Sequence, residues 1–461
     1  MMQNFKEQFK GKKITVMGLG ILGRGLGYIK FLAECGADLI VTDLKTKEQL
    51  ATSLKALSKF KNIKFVTGEH RLEDFRDKDM IIKAAGVPLD SIYITEARRN
   101  SIPIEMDVSL FIKIAKDIKV VGVTGTRGKS MTTTLIYEIL KKSEKFLKHK
   151  VYIGGNIRGV ATLPLLKNFK KGDILVCELD SWQLQGFGDA KVSPHISVFT
   201  SFMPDHMNYY MNSMEKYFDD KANIFIYQKK DDVLIIRPDM KKLIKNVKSK
   251  LIVVNSKSVE KYKFAVPGKH QLENLACAVE VAKQFKIPEN KILNAVKDFK
   301  GLEGRLQYLK TYKGIKIYND NNATTPSATV AGIEAITCPT PGVGHNRIVL
   351  ICGGSDKKLD LNEFVDTVNK YCKALIMIPG TGTDVLLNNY ELKVDNEIGK
   401  DLKDVVKKAI KVAKKGDIIL FSPAFASFGM FNNEYERNDQ FMKIIKGLPA
   451  RPHRGSGAGG K

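Results

Sequence analysis

The segment GVTGTRGKS, which follows the apolar run IKVV, groups the residues best suited to hold a phosphate chain. Gly125 and Gly128 can leave backbone N–H groups facing phosphate oxygens, because glycine tolerates the backbone conformations that such a loop requires. Lys129 would bring a positive charge to the β- and γ-phosphates, and Ser130 would open a helix and could ligate Mg²⁺. A standard P-loop has four residues between its first glycine and Gly-Lys-Ser/Thr, whereas five residues separate Gly122 from Gly128. The segment therefore predicts a variant nucleotide-phosphate site.

A second glycine turn lies near the N-terminus. In GLGILG, Gly18, Gly20 and Gly23 follow the strand candidate KITVM, and Asp43 ends the next one, 20 residues after Gly23. This pattern favours a tight turn, a close approach of the backbone to a diphosphate, and an acid for a hydroxyl group or base edge. It does not identify the nucleotide, so a NAD(P)-dependent oxidoreductase is one hypothesis that these residues leave open.

Alternating strands and helices must position both segments. Short β-branched runs recur between stretches of helical periodicity, and the strand candidates are KITVMG, DLIVT, MIIK, KVVGVT, ILVCEL, HISVFT, VLII, LIVV, IKIY, RIVLI, ALIMI and DIILF. Such alternation predicts an α/β fold with mostly parallel sheets. We place boundaries before the strand that feeds the phosphate loop and after KILNAVKDFKG, which gives domains of residues 1–108, 109–302 and 303–461. The tail at residues 451–461 is expected to be flexible and is left out of the fold.

Composition excludes several classes of protein. The chain has 461 residues, 43% of them hydrophobic, and no apolar run approaches the ~18 residues that span a bilayer, so we expect no membrane insertion. Six cysteines are scattered singly, which predicts buried thiols in a reducing cytoplasm rather than a zinc site. The net charge of +25 comes mainly from dispersed lysines, so we expect no nucleic-acid binding. We interpret the charge as a solvated surface; attraction of a polyanionic small molecule or an anionic membrane surface is the alternative.

The TGTxGKS/T spacing resembles the ATP-binding loop of the Mur ligases and of their relatives, the folate polyglutamate and cyanophycin synthetases. Further segments that resemble family motifs, in chain order, are GGNIRG, CELDSWQLQGF, MPDHMNYY, YFDDKANIF, VPGKHQLENLACAV, GRLQYL, YNDNNATTPSAT, ICGGSDKKLDL and FSPAFASFGMFNNEYERNDQF. Each motif is modest alone, but their common order is specific. The resemblance implies a Rossmann-like UDP-binding domain, a central P-loop ATPase-like domain and a Rossmann-like C-terminal domain.

The resemblance also implies binding residues at the matching positions. Those expected to bind ATP are Gly125, Thr126, Gly128, Lys129, Ser130, Met131, Asn274, Arg305 and Asp320. Those expected to bind a UDP-linked substrate are Gly18, Gly20, Ile21, Leu22, Gly23, Asp43, Gly86 and Asn156. Lys357 and Ser427 are expected to bind the carboxylates of an incoming glutamate, since a cation and a hydroxyl group suit an anion.

Two Mg²⁺ ions are implied as well, with Ser130, Glu178, His206 and Lys221 as the predicted ligands. Lys221 lies where the family has a lysine carbamylated by CO₂. A protonated ammonium group cannot bind Mg²⁺, whereas a carbamate acts as a long carboxylate and can. Lys129, His206 and Lys221 are therefore the predicted catalytic residues. Without the resemblance, a lysine that follows two aspartates would be assigned to the solvated surface.

Some positions depart from the family motifs, and they are Arg127, Asp180, Gln271, Asn322, Gly429, Glu434 and Asn438. Asn322 replaces a lysine, so a cation near the glutamate site is lost, and Glu434 replaces an aromatic residue at that site. Asp180 replaces a serine and adds negative charge near an anionic substrate. The changes at Asn322 and Glu434 bear on the choice of amino acid, including its stereochemistry, and ATP chemistry is hardly affected.

The resemblance implies an ATP-dependent amide ligase that joins D-glutamate to UDP-N-acetylmuramoyl-L-alanine through an acyl phosphate, a step in cell-wall precursor synthesis. We expect a cytoplasmic monomer with these three small-molecule substrates. The alternatives are the same chemistry with L-glutamate or another acidic amino acid, a nucleotide-binding protein with a dead ligase site, and the oxidoreductase. Lys129, Glu178, His206 and Lys221 argue against a dead site. A phosphate loop and a third domain have no role in a dehydrogenase.

Overall fold

The computed structural model describes residues 5–21, 23–266, 268–337 and 347–449. Leu22, Cys338 and the tail at residues 451–461 lie outside the described residues. Contacts divide the chain into two compact units: Met1–Lys263 with Leu272–Val296, and Phe264–Gln271 with Lys297–Lys461.

The first sheet of the first unit is parallel throughout and has the strand order β3-β2-β1-β4-β5. Its strands are β1 (Lys13–Met17), β2 (Asp38–Asp43), β3 (Ile63–Thr67), β4 (Met80–Lys83) and β5 (Ile104–Glu105). The helices of this part are α1 (Arg24–Glu34), α2 (Ala51–Leu57), α3 (Ile92–Arg99) and α4 (Asp107–Ile114). The strand order reverses between β1 and β4. In open parallel sheets, ligands bind outside the carboxyl ends of the strands at such a reversal.

The second sheet of this unit is also parallel, with the order β11-β10-β9-β6-β8-β7. Its strands are β6 (Lys119–Thr124), β7 (Val151–Gly155), β8 (Ile174–Glu178), β9 (Ile196–Phe199), β10 (Val233–Ile236) and β11 (Lys250–Val253). Its helices are α5 (Lys129–Lys142), α6 (Glu144–Leu147), α7 (Ser181–Ala190), α8 (Met214–Ala222), α9 (Lys269–Gln284) and α10 (Glu289–Lys297). β6 lies between β8 and β9 and leads directly into Gly125, so the phosphate loop lies at the carboxyl edge of a central strand.

The second unit contains one sheet with the order β12-β13-β17-β14-β15-β16. Its strands are β12 (Gln307–Tyr312), β13 (Ile315–Asn319), β14 (Ile348–Gly353), β15 (Cys372–Ile378), β16 (Asp395–Ile398) and β17 (Ile418–Phe421). Its helices are α11 (Pro326–Thr337), α12 (Asn362–Tyr371), α13 (Thr381–Asn389), α14 (Leu402–Val412) and α15 (Glu434–Lys446). β12 and β13 form an antiparallel hairpin, and the other neighbours are parallel. The hairpin turn consists of Lys313 and Gly314, whose positive φ angles of 50° and 82° match the twist of the flanking strands.

The core of the second unit shows why its central strands are continuous apolar runs. Ile348, Leu350 and Cys352 of β14 pack on one face of the sheet, against α11 and α12. Val349 and Ile351 pack on the opposite face, against α14 and α15. Since successive side chains of a strand point to opposite faces, a strand covered by helices on both sides must be apolar at every position.

The predicted α/β class with mostly parallel sheets is confirmed, and every strand candidate named from the sequence is a strand. The structure adds β3, β5, β7, β12 and β16, each at the edge of its sheet. The boundary predicted after residue 108 falls within α4, and the one after 302 falls between α10 and β12; both stay predictions. Within the described ranges, no helix is both long and apolar enough to cross a membrane. The described cysteines, Cys35, Cys177, Cys277, Cys352 and Cys372, are buried and free, as predicted.

Candidate active site

The loop after β6 has a conformation that requires glycine at two positions. Gly125 has a φ of 147°, and a Cβ there would collide with Thr200 Oγ1. Gly128 has a φ of 87°, precedes the first residue of α5, and lies so close to Asn274 Oδ1 that a Cβ would collide with it. Both positions therefore exclude larger residues, and Asn274, one of the residues predicted to bind ATP, lies beside the loop.

Residues that follow β9 hold this loop in place. Thr126 N donates to Ser201 O at 2.8 Å, and Arg127 N donates to Ser201 Oγ at 2.9 Å. Thr200 Oγ1 donates to Arg127 O at 2.6 Å, and Thr126 Oγ1 donates to Met203 O at 3.1 Å. The loop is thus tied to the neighbouring strand end by its backbone. Because the Arg127 side chain is exposed and the loop is held through its backbone, this departure from the family motif leaves the bonding intact.

Two lysine side chains converge on the carbonyl oxygen of Gly125. Lys129 Nζ donates to it at 2.9 Å and to Thr126 O at 3.0 Å. Lys221 Nζ donates to the same Gly125 oxygen at 3.0 Å. The structure therefore brings two of the three predicted catalytic residues together at the loop. Two positive charges this close repel each other, and an anion at the loop would relieve that repulsion.

The environment of Lys221 differs sharply from the surface that its sequence neighbours suggest. Only 1% of the residue is exposed, and its ammonium group lies 4.8 Å from the ring centre of Tyr217. Burial, reinforced by the charge of Lys129, lowers the pKa of Lys221 to about 7. A large share of the amine is therefore neutral near neutral pH, and the neutral amine is the form that can react with CO₂.

The predicted metal ligands come from elements around the same loop. Glu178 is buried at the end of β8, in register with Val123 of β6, and Ser130 lies in the first turn of α5. His206 is exposed in the segment after β9 and has a φ of 54°. In the part of the chain that the structure describes, no three His, Cys, Asp or Glu side chains are grouped as a metal site. The described His, Cys, Asp and Glu side chains alone therefore do not form a complete metal site, and the four predicted ligands stay a prediction.

The ring of His206 packs against an aromatic group. Its centre lies 4.8 Å from that of Trp182, the single tryptophan of the chain, and 6.4 Å from that of Tyr217. His206 Nε2 also lies 3.8 Å from Asp205 Oδ2. These neighbours limit the orientations that the exposed imidazole can adopt.

The departure at Asp180 has a structural explanation. Asp180 precedes α7, and its Oδ1 accepts a hydrogen bond from Gln183 N at 2.7 Å. Gln183 Oε1 in turn accepts a hydrogen bond from Asp180 N at 3.2 Å. This is a reciprocal capping box, which satisfies two backbone donors at the start of the helix. Aspartate performs the capping that the family serine at this position could perform.

A pocket of about 170 Å³ opens at the strand reversal of the first sheet. Three of the residues predicted to bind the UDP-linked substrate line this pocket. They are Gly18 and Gly20, which follow β1, and Gly86, which follows β4. Ile21, beside these glycines, is 53% exposed. Gly23 precedes α1 with a φ of 85°. The reversal thus gathers most of the predicted substrate residues of the first sheet.

Two further predicted substrate residues have clear backbone partners. Both carboxylate oxygens of Asp43 accept backbone hydrogen bonds, from Gly20 N at 2.8 Å and from Lys45 N at 2.9 Å. In this structure Asp43 therefore holds the glycine turn. Asn156 N donates to Glu178 O at 2.7 Å, which ties Asn156 to the end of β8 and to a predicted metal ligand.

In the second unit, the predicted glutamate-binding residues lie on loops that meet at the carboxyl edge of the sheet. Lys357 Nζ, after β14, donates to Thr324 Oγ1, after β13, at 3.1 Å. Ser355 and Ala426 exchange backbone hydrogen bonds of 2.9 and 3.1 Å, which join the loop after β14 to the loop after β17 that carries Ser427. The geometry therefore places a cation and two hydroxyl groups on three connected loops.

Asp320 and Arg305, both predicted to reach ATP, have different environments. Asp320 is buried, its Oδ1 accepts from Leu306 N at 3.0 Å, and its Oδ2 accepts from Ser422 Oγ at 2.8 Å. Burial raises the pKa of Asp320 to about 7. Arg305 is exposed. The Asp320 carboxylate therefore already links the loops after β13 and β17.

The Met131 side chain, at the predicted ATP site of the first unit, is buried as well.

Two of the five remaining departures, Glu434 and Asn438, lie in α15. Glu434 is the first residue of this helix, where the partial positive charge of the N-terminus stabilises an acid. Asn438 Oδ1 accepts from Asn319 Nδ2 at 2.9 Å, and Asn438 Nδ2 donates to Glu303. Asn322 Oδ1 accepts from Asn321 Nδ2 at 3.2 Å. Polar contacts within the second unit therefore account for Asn322 and Asn438. Gly429 has a φ of 100°, and Gln271 is buried in the first turn of α9.

A fully buried arginine supports the loops of the second unit. Arg437 of α15 donates to Asn321 Oδ1 at 2.8 Å through Nε, to Asn321 O at 3.0 Å through Nη2, and to Phe425 O at 3.3 Å through Nη1. Burial lowers the pKa of Arg437 to about 10, which still leaves the group charged at neutral pH. One side chain thus joins the loop after β13 to the loop after β17.

Replacement of Arg437 with methionine is expected to destabilise the second unit by roughly 3 kcal/mol or more. Methionine fills much of the volume but leaves three buried acceptors without a donor, and each unpaired buried group costs roughly 1–3 kcal/mol. Urea unfolding followed by circular dichroism measures the change, and the matched control is Lys443→Met on the exposed side of α15. Equal unfolding midpoints for the two variants would contradict the supporting role of Arg437.

Sequence reasoning missed several residues that the structure places at these sites. Lys83, Tyr28 and Gln183 line the pocket at the strand reversal, and Thr324 contacts Lys357. Lys83 lies in none of the quoted motifs, so no signal in the sequence marks it. Gln183 lies inside the quoted CELDSWQLQGF motif, and Thr324 lies inside YNDNNATTPSAT, so attention to the polar residues of those motifs would have found both.

Comparisons with known proteins give the same picture for all three sheets. Residues 12–105 match the Mur ligase MurD-like N-terminal domain, residues 123–258 match the Mur ligase middle domain, and residues 304–425 match the Mur ligase glutamate ligase domain. The chain is similar in fold to the UDP-N-acetylmuramate-alanine ligase MurC of Thermotoga maritima, with a TM-score of 0.60, 18% identity, and coverage of 94% of this chain and 99% of that one.

Relatives with higher identity are UDP-N-acetylmuramoylalanine–D-glutamate ligases. The protein of this name from Borreliella burgdorferi (strain ZS7) is 34% identical and covers 96% of this chain and 99% of its own length. The one from Clostridioides difficile (strain 630) is 31% identical, with coverage of 95% and 99%. Neither is an oxidoreductase. Because similarity of this degree extends over nearly the whole lengths of this chain and of the relatives, and because three Mur ligase domains match in order, the chain belongs to the Mur ligase family.

Proposed function

We propose that the chain is an ATP-dependent ligase that joins the amino group of D-glutamate to the alanine carboxylate of UDP-N-acetylmuramoyl-L-alanine. The convergence of Lys129 and Lys221 on the glycine loop after β6 is the observation that supports it most directly. The substrates are taken from the D-glutamate ligases that match the chain over nearly their whole lengths.

The proposed reaction follows from the chemistry of a carboxylate, which is a poor acyl donor. Transfer of the γ-phosphoryl group of ATP to the carboxylate gives an acyl phosphate. The amine of glutamate then attacks the carbonyl carbon, and inorganic phosphate leaves. Phosphoryl transfer depends mainly on positioning and charge neutralisation. Lys129 and the backbone amides of the loop would provide both, and Asn274 would contact the adenine.

Two Mg²⁺ ions are part of the proposal, with Ser130, Glu178, His206 and carbamylated Lys221 as the groups that would hold them. Mg²⁺ favours oxygen ligands and would neutralise charge on the phosphates. The carbamate forms when the neutral Lys221 amine attacks CO₂ and loses a proton. The burial of Lys221 and the resulting low pKa support this modification, because they supply the neutral amine.

The other two substrates are assigned to the remaining sites, each on its own unit. The UDP-linked substrate would occupy the pocket at the reversal between β1 and β4, next to Gly18, Gly20 and Gly86. The carboxylates of glutamate would bind Lys357 and Ser427, with Thr324 beside the lysine. We expect a monomer, which size-exclusion chromatography with light scattering would test.

The choice of amino acid is the sharpest test of the proposal. Since Asn322 replaces the family lysine, one charge-assisted hydrogen bond to glutamate is lost, which corresponds to roughly ten- to a hundredfold in affinity. This loss should raise the KM for glutamate without abolishing its use. Lys357 is then the main cation of the site, and its replacement should be costly.

The experiment compares kcat/KM for D-glutamate, L-glutamate and D-glutamine, measured by phosphate release with UDP-N-acetylmuramoyl-L-alanine. D-glutamate is expected to be the best substrate, and Lys357→Ala is expected to raise its KM by roughly ten- to a hundredfold. The matched control is Lys358→Ala at the adjacent exposed lysine, which should have the same kcat/KM as the protein without substitutions. If D-glutamine equals or exceeds both glutamates, the chain is not a glutamate ligase; if L-glutamate exceeds D-glutamate, the alternative stereochemistry is correct.

A further inference from the structure

The pocket at the reversal between β1 and β4 contains more positive charge than the glycine turn alone requires. Arg24, the first residue of α1, and Lys83, the last residue of β4, both line it. Asp107 is the acid of the lining, and Tyr28 OH donates to Gly18 O at 3.3 Å. The arrangement therefore presents two cations and one acid to the same cavity.

Asp107 does not neutralise these cations by direct pairing. Its Oδ2 accepts a hydrogen bond from Thr162 N at 2.8 Å, and its Oδ1 accepts one from Leu163 N at 2.7 Å. Both carboxylate oxygens of Asp107 thus accept hydrogen bonds from backbone N–H groups of the segment between β7 and β8. No ion pair links it to Arg24 or Lys83 among the residues that the structure describes.

Lys83 is the unusual member of this group. Only 2% of the residue is exposed, and its Nζ donates to Val87 O at 2.9 Å. A lysine carries three N–H donors, and an isolated buried ammonium group is costly unless it is paired. Burial lowers the pKa of Lys83 to about 8, an effect that the charges of Asp189, Asp180 and Asp220 oppose only in part.

We propose that Lys83, with Arg24, binds the diphosphate of the nucleotide-linked substrate. The location favours this ligand group, because a strand reversal with a glycine turn presents backbone N–H groups to a diphosphate. The charges favour it as well, since a dianionic group would give Lys83 and Arg24 ion pairs, which neither side chain forms with the described residues. The inference rests on the proposed function for the identity of the substrate, but it concerns an anion site that can be tested without turnover.

A purely structural role is the competing explanation for Lys83. Its bond to Val87 O closes the short loop that contains Gly86. In that case the lysine would fix the loop, and its replacement would affect stability and every ligand of the pocket equally. A charge that binds the diphosphate would instead discriminate between ligands with and without phosphates.

The test is calorimetric binding of UDP, UMP and uridine to the full chain at 50 mM and 200 mM NaCl. The variants are Lys83→Met, Lys83→Arg and Arg24→Met, with Lys64→Met as the matched control on the exposed surface of β3. Lys83→Met and Arg24→Met are each expected to weaken UDP binding by roughly ten- to a hundredfold, UMP less, and uridine by less than about twofold. Lys83→Arg should retain most of the affinity, and the loss should shrink at the higher salt concentration.

Three results would overturn the assignment. The first is equal weakening of UDP and uridine binding in Lys83→Met and Arg24→Met, the second is unchanged UDP binding in both variants, and the third is the same weakening in Lys64→Met. If Lys83→Met does not fold, the comparison of Arg24→Met with Lys64→Met decides the question. Turnover separates this inference from the proposed function. If the UDP affinity of the protein depends on Lys83 but the protein without substitutions releases no phosphate with glutamate, the ligase activity is refuted and the anion site is still supported.

Discussion

Lys221→Ala is expected to lose about a thousandfold or more in phosphate release, and millimolar formate or acetate is expected to restore part of it. The proposed carbamate supplies a ligand to Mg²⁺, and loss of several kcal/mol of charge stabilisation in the transition state corresponds to a factor of this size. A small carboxylate can enter the space that the long side chain leaves and offer the same oxygen atoms. The rescue therefore tests the carboxylate character of the group, which loss of activity alone does not.

Two further variants isolate the chemistry of Lys221. Lys221→Arg keeps a positive charge and a long side chain but cannot be carbamylated, so it should be as inactive as the alanine variant. Lys216→Ala removes an exposed lysine from the same helix and should leave activity unchanged. The pKa of Lys221 is lowered to about 7, so the share of neutral amine that can form the carbamate increases as the pH rises through that value. Activation of the protein without substitutions by added bicarbonate should therefore increase over the same pH range. A fully active Lys221→Ala protein would exclude the ligand role.

Lys129→Ala is expected to abolish ATP-dependent phosphate release while leaving the affinity for UDP-N-acetylmuramoyl-L-alanine within about twofold, a difference of a few tenths of a kcal/mol. Lys129 is the charge that would face the β- and γ-phosphates, and the catalytic effect of such a group is worth roughly a hundred- to a thousandfold or more. The pocket proposed for the UDP-linked substrate belongs to the first sheet, whereas Lys129 starts a helix of the central sheet.

Phosphate release and calorimetric substrate binding, measured on the same preparation, test this separation. Lys141→Ala is a suitable control, since it removes a lysine from α5 whose exposed ion pair with Glu144 contributes little. Equal loss of catalysis and of UDP-substrate binding in a folded Lys129→Ala protein would refute the assignment of the two sites to different sheets.

Most strands that the sequence predicts are buried, whereas those that it misses are all edge strands; β11 is an exposed edge strand that is predicted nevertheless, from its β-branched run LIVV. β14 and β17 are covered by helices on both faces, so their residues form uninterrupted apolar runs that are easily recognised. The missed strands are edge strands such as β16, in which all four residues are exposed, and β5, which has only two residues. An edge strand is specified by its neighbour rather than by its own hydrophobicity, so single-sequence patterns identify it poorly.

The candidate site divides along a similar line. Lys129 and Ser130 are predictable because the glycine loop that positions them is local in sequence. Lys221 is predictable from family resemblance alone, since nothing in the run YFDDKANIF indicates a buried lysine. Lys83 and Arg437 could not be predicted, because their significance lies in burial and in partners that are distant along the chain.

The central position of β17 has a consequence for synthesis of the chain. β12 and β13 are joined by a two-residue turn, so this hairpin can form as soon as it leaves the ribosome, on a time scale of roughly 1–10 μs. β13 and β14, however, are both paired with β17, whose first residue is Ile418. Until that strand emerges, the hairpin and the β14–β16 portion have no strand to connect them, and each presents an unpaired edge to other nascent chains. A ribosome stalled before Ile418 would therefore hold a divided sheet, and assembly of the second unit must wait until its last strand has been synthesised.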